Sequence, residues 1–206
     1  YARKAKELNA DYVFILDKPV VSREFVEEIE KLSLPIIWID HHLIDDKLDK
    51  EFSSLKVYNP LRNSGKDKSE EPVTYIVYKL IERKEDVWLA VIGCIADHFM
   101  PEFVLEFKER YPEFWSNVKE PFDAYYKTEI GKIAQAFNFG LKDSTTNIIR
   151  LQNFLIGCSN PNDVLAEAYI EGAKRRFETQ SIFLSDIKVN PILVEGYNKG
   201  QKLEKD

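Results

Sequence analysis

The stretch Ile36–Ile44, IIWIDHHLI, constrains this chain more than any other. Its first four residues are three isoleucines and a tryptophan, strand formers in an apolar run too short for a typical helix. Such a run reads as a strand buried on both faces, as in the middle of a parallel sheet. It stops at Asp40-His41-His42, which sets a carboxylate and two imidazoles at the C-terminal end of the strand. Open parallel α/β sheets bind their ligands at that end.

The preceding residues complete a unit around this strand. Tyr12–Leu16 reads as a strand ending at Asp17. Ser22 then caps a helix that places Phe25, Val26, Ile29 and Leu32 on one face, with Glu24, Glu27, Glu28 and Glu30 largely on the other. That helix is a crossover between two strands running the same way, which predicts a right-handed βαβ unit whose strands both end in aspartate. Upstream, Ala2–Leu8 reads as the last part of a helix. A strand and loop normally precede such a helix, so we expect the sequence to begin inside a longer one.

Downstream, an acidic loop over Asp45–Glu51 leads to a third strand, Leu55–Tyr58, ended by Asn59-Pro60. Residues 62–71 are polar and read as a surface loop. Pro72 suits the first turn of a helix over Val73–Ile81, and Val87–Ala96 is an apolar helix ending near Asp97-His98. Beyond Pro101 the strand signal fades. Glu102–Arg110, Pro121–Phe139, Thr145–Ile156 and Asn162 to about Leu184 read as helical, and Val189–Val194 as a strand or an extended linker. The expected class is α/β: a parallel sheet flanked by helices over residues 1–100, an all-helical continuation with a long connecting helix over 101–188, and a linker or the start of a further domain over 189–206.

Composition narrows the function classes. With 206 residues and 44% hydrophobic content, the chain can bury a sizeable core. No stretch approaches the roughly 20 apolar residues of a membrane span, and the charged N-terminus has no apolar signal core. A cytoplasmic location, away from membranes, is the expectation. Cys94 and Cys158 stand far apart in apolar contexts, which favours buried free thiols over a disulfide or a zinc site. The net charge of −6 rules out a global basic field, so polyanion binding would depend on local patches or on bound metal.

Asp17, Asp40, His41, His42 and Asp97 all fall at element ends. One aspartate after a strand is commonly a turn former or a cap. Two adjacent histidines after a buried strand are harder to explain that way, because the chain has only three. Mixed carboxylate and imidazole donors suit manganese, iron or zinc, and two such ions can hold a phosphoryl group and activate water.

At these residues the sequence resembles the DHH phosphoesterase superfamily, which includes RecJ-type single-strand exonucleases, oligonucleotide and cyclic-dinucleotide phosphodiesterases, exopolyphosphatase and family II inorganic pyrophosphatase. The naming motif is Asp40-His41-His42; the second motif matches Asp17 in DYVFILD; the fourth matches Gly93-Cys94-Ile95-Ala96-Asp97. The resemblance covers about residues 1–100, and Glu129 onward is similar to the helical continuation of archaeal RecJ-like proteins. It implies that Asp17, His41 and Asp97 are metal ligands, with two Mn²⁺ or Mg²⁺ ions as cofactors. It also implies that His42 faces the substrate phosphate and that Asp40 either touches a metal or orients a histidine, making these two the catalytic pair.

The family's first motif, an Asp-x-Asp-Gly loop, belongs N-terminal to Tyr1 in this register. Its C-terminal Gly-Gly-Gly-His signature has no match here. Two readings follow: part of a longer active enzyme, which the retained ligand residues favour, or an inactive relative that acts as a replisome scaffold.

Other features have blander readings beside the functional ones. Arg62 could bind a phosphate bidentately, although a solvated loop arginine is commoner. Lys174-Arg175-Arg176 is the densest basic cluster and a candidate for nucleic-acid contact, although most such clusters are solvated faces. His98 suits a helix C-terminus, where the dipole favours it. The aromatics Phe114, Trp115 and Tyr125 could stack on bases, although core packing is commoner. The expected function is metal-dependent hydrolysis of phosphodiester bonds in single-stranded DNA or RNA, RecJ-like, with replication or repair proteins as possible partners. The alternatives are a small-substrate phosphodiesterase or pyrophosphatase of the same superfamily, and the scaffold.

Overall fold

The computed structural model describes residues 2–44, 47–64 and 71–165. Within them the chain is α/β, a small parallel sheet accompanied by many helices. The contacts divide the chain into two units, Tyr1–Lys79 and the residues from Leu80 onward. The helix that carries Asp97 therefore groups with the helical residues that follow it.

In the first unit, α1 (Ala2–Glu7) leads into β1 (Val13–Leu16), and α2 (Arg23–Glu30) connects it to β2 (Ile36–Ile39). Ser22 caps α2 as its sequence requires: the hydroxyl accepts the Phe25 N–H at 3.3 Å. A short helix α3 (Leu48–Glu51) follows where an acidic loop is expected, and β3 (Leu55–Tyr58) completes the sheet. Next come α4 (Pro60–Ser64), which overlaps the start of the stretch 62–71 read as a polar loop, and α5 (Val73–Ile81). The strand order is β1-β2-β3, all parallel.

Register decides which side chains share a face. Val13, Ile36 and Leu55 are aligned, as are Ile15, Trp38 and Val57. These two rows pack with Val26 and Ile29 of α2 in one hydrophobic core. Each fully buried member contributes on the order of 1.5–3 kcal/mol. The alternate rows, Phe14-Ile37-Lys56 and Leu16-Ile39-Tyr58, lie on the opposite face. There Phe14, Leu16 and Tyr58 remain exposed while Ile39 is buried. The central strand is thus largely buried, as its apolar run requires, whereas β1 alternates between half-buried and exposed.

The second unit is built around α6 (Val87–Ala96), in which Val87, Trp88, Ala90, Val91, Ile92, Cys94 and Ile95 are buried. A helix apolar on nearly every side must be surrounded. Packed on it are α7 (Val104–Arg110), α8 (Pro121–Lys127) and α9 (Glu129–Gly140). Two further helices follow, α10 (Thr145–Ile156) and α11 (Pro161–Leu165).

The expected single helix over Pro121–Phe139 is in fact two. Thr128 sits between them in extended backbone, φ −116° and ψ 159°, and its hydroxyl accepts the Gly131 N–H at 3.0 Å. The same hydroxyl donates to the Ala124 carbonyl at 2.6 Å. A β-branched residue with a capping oxygen ends one helix and starts the next. The corner is tight enough that a Cβ on Gly131 would come within 2.2 Å of the Tyr125 carbonyl oxygen. Among the described residues no helix is long and apolar enough to cross a membrane. The expected long helix after Asn162 and the segment Val189–Val194 lie outside the described residues beyond Leu165.

Candidate metal centre

Both strands of the βαβ unit end at the same edge of the sheet, and backbone hydrogen bonds fix where. The Asp17 N–H donates to the Ile39 carbonyl at 3.0 Å, and the Asp40 N–H to the Tyr58 carbonyl at 3.2 Å. Asp17 and Asp40 therefore continue the sheet's ladder by one residue. At Asp17 the backbone then turns into the left-handed region, φ 54°. Aspartate tolerates that conformation better than most residues because its short polar side chain can bond locally. Trp38, fully buried, donates its indole N–H to the Lys18 carbonyl at 2.9 Å and so ties the turn after Asp17 to the central strand.

Three donor atoms gather on this framework. His41 Nε2 is 3.5 Å from Asp17 Oδ1, and His42 Nδ1 is 3.8 Å from the same oxygen. The imidazole centroids are 4.5 Å apart at an interplanar angle of 71°. One ligand atom from each of Asp17, His41 and His42 can be chosen so that all lie within 4.8 Å of one another. Two ligands about 2.1 Å from one tetrahedral ion are roughly 3.4 Å apart, so the donor spacing is close to what a shared cation needs. Asp17 and His42 are exposed and His41 is partly buried, so the group is open to solvent.

Asp40 behaves differently from its neighbours. Its side chain is completely buried, and Oδ1 accepts the His42 backbone N–H at 2.6 Å. The carboxylate also lies 3.3 Å from His42 Nδ1. Of the two roles the sequence leaves open for Asp40, this placement suits the orienting one: it fixes the His42 ring and leaves Nε2 for an external partner. Asn59 adds a second restraint. Its amide donates to the His42 carbonyl at 2.9 Å, while its Oδ1 accepts the Leu61 N–H at 2.9 Å. Asn59 is a supporting residue that the sequence reading treated only as a strand terminator; its place directly after β3, level with Asp40, was the available signal.

The remaining candidates are placed as follows. Arg62 bonds both oxygens of Asp49 at 3.0 Å, so its guanidinium is already paired with a carboxylate. Asp97 is exposed at the C-cap of α6 in the second unit. Lys174, Arg175 and Arg176 lie outside the described residues. Cys94 is buried and free, its thiol pushed well above the ordinary range by burial, with Asp97 and Glu102 adding to the effect. Burial, then the Asp163 charge, raises the Cys158 thiol as well. Neither thiol offers a thiolate donor near neutral pH.

No family model, curated protein or solved structure matches this chain.

Proposed function

We propose that the chain carries the metal-binding part of a DHH-type phosphoesterase acting on single-stranded nucleic acid. The observation behind this reading is the gathering of Asp17, His41 and His42 at the C-terminal edge of a parallel sheet. In it Asp17 and His41 hold a divalent cation, Mn²⁺ or Mg²⁺. Such an ion supplies Lewis acidity towards a phosphoryl oxygen and lowers the pKa of water. His42, steadied at Nδ1 by the buried Asp40, presents Nε2 to a phosphate oxygen. That contact strengthens as charge builds up in the transition state, so its effect is on turnover more than on binding.

The test is cleavage of an end-labelled single-stranded oligonucleotide by the chain with Mn²⁺, with chelator, and as Asp17→Asn. Metal-dependent cleavage lost in the variant supports the reading. Absence of both cleavage and a Mn²⁺-induced gain in thermal stability overturns it. Faster turnover of pyrophosphate than of the oligonucleotide would assign the chain to small substrates instead.

A further inference from the structure

Asn59 and Arg62 stand at the start of α4 and connect it to two different places in the sheet unit. We propose that they form a brace for His42: Asn59 is a positioning residue that fixes the His42 backbone, and the pair of Arg62 with Asp49 holds the helix from which Asn59 acts. This rests on the phosphoesterase reading, in which His42 presents Nε2 to a phosphate oxygen.

The brace runs bond by bond. Asp40 Oδ1 accepts the His42 N–H at 2.6 Å, and Asn59 Nδ2 donates to the His42 carbonyl at 2.9 Å. Both polar groups of that backbone are thus held by side chains of completely buried residues. The other end of the Asn59 amide faces α4, where Oδ1 accepts the Leu61 N–H at 2.9 Å and the Arg62 N–H at 3.4 Å. A flipped amide would set Oδ1 against the His42 carbonyl and its NH₂ against two N–H groups, so only one orientation satisfies both ends.

Five residues of helix are too few to hold their own shape, so α4 needs an anchor. Arg62 supplies it: Nη2 bonds both carboxylate oxygens of Asp49 on α3 at 3.0 Å, with the two side chains 28% and 25% exposed. A charge-assisted pair partly withdrawn from water is screened less than a surface one. The chain of contacts therefore passes from Asp49 through Arg62 and α4 to Asn59 and His42, all within Tyr1–Lys79. Its effect is on turnover, because a misplacement of about 1 Å at a reacting centre costs roughly a hundredfold in rate.

The partner of Arg62 separates this role from direct phosphate binding. A phosphate-binding Arg62 would be freed by Asp49→Asn, and KM would fall. In the brace, Asp49→Asn and Arg62→Gln act alike: kcat falls about two- to fivefold at unchanged KM, as loss of a partly exposed ion pair implies. Asn59→Ser keeps an oxygen to cap α4 but is too short to reach His42, and kcat should fall about 10- to 100-fold. Mn²⁺ affinity should stay the same in all three variants.

The experiment is steady-state cleavage of the labelled oligonucleotide with Mn²⁺ by the whole chain and these variants, with folding checked by circular dichroism. Lower KM in Asp49→Asn, higher KM in Arg62→Gln, or unchanged kcat in Asn59→Ser overturns the brace. The His42 ring is read separately by nitrogen-15 NMR of the metal-free chain at a single pH. The tautomer with Nδ1–H bonded to Asp40 should give way to a mixture in Asn59→Ser and, less completely, in Asp49→Asn. A His42 signal unchanged in both overturns the brace whether or not substrate is cleaved. The expected ring change in a chain that cleaves nothing sinks the hydrolytic reading alone.

Discussion

The edge of the sheet that carries Asp17, His41 and His42, and the end of α6 that carries Asp97 and His98, are held by different forces. At the sheet edge, backbone N–H groups of Asp17 and Asp40 continue the β ladder, and buried Asp40 and Trp38 lock the two turns. At the end of α6 the backbone closes on itself, and the position of the side chains comes from rings packed on a neighbouring helix corner. A hydrogen-bonded edge gives donor atoms a fixed geometry, which a metal needs. Packed rings give a flat surface with looser angular demands.

The largest expected effect tests the first half of that contrast. Trp38→Ala should cost about 3–5 kcal/mol in urea unfolding, as deletion of a fully buried ring does. Trp38→Phe keeps most of the burial and loses the bond to Lys18, costing roughly 1 kcal/mol. If that bond sets the turn, Trp38→Phe also weakens Mn²⁺ binding in calorimetry; unchanged affinity would break the contrast. On the packed side, Gly131→Ala drives a methyl against the Tyr125 carbonyl and should cost up to about 3 kcal/mol. Its circular dichroism melt should shift while Mn²⁺ affinity stays as it was.

Smaller effects sharpen the comparison. Asp40→Asn removes the charge that orients His42, and oligonucleotide turnover should fall about 10- to 100-fold while Mn²⁺ affinity stays nearly unchanged. Asp17→Asn and Asp17→Ala should both abolish that affinity. Only the alanine should add a folding cost of about 1 kcal/mol, because asparagine tolerates φ 54° and alanine does not.

The smallest effect concerns the thiols. The folded Cys94 thiol ionises far later than an unfolded one. Its contribution to stability is therefore intact below the unfolded value of about 8.5 and declines as pH rises beyond it. At pH 9, iodoacetamide should modify the partly exposed Cys158 first and reach Cys94 only on unfolding.

What the sequence determined by itself is local. Apolar runs of four residues become β1 and β2, and the alternating Leu55-Lys56-Val57-Tyr58 becomes β3, because short runs of strand formers suit a sheet better than a helix. Ser22 caps α2, and an all-apolar segment becomes the central helix α6. The placing of Asp17 and Asp40 at adjacent strand ends follows from the parallel crossover that α2 requires, so the candidate site was legible as a location.

Roles inside it were not. Whether Asp40 faces solvent or the interior depends on its alignment with Tyr58, a residue 18 positions away. Arg62 finds Asp49 only after α3 and α4 have folded, which short-range patterns do not encode. The break at Thr128 is invisible to helical periodicity, because the apolar spacing continues through it while the hydroxyl caps the second helix. Likewise, His98 meets Phe122 only once the end of α6 is set against α8. Sequence periodicity specifies which face of each element is buried; partners across elements are chosen by register and packing, and those exist only in the folded chain.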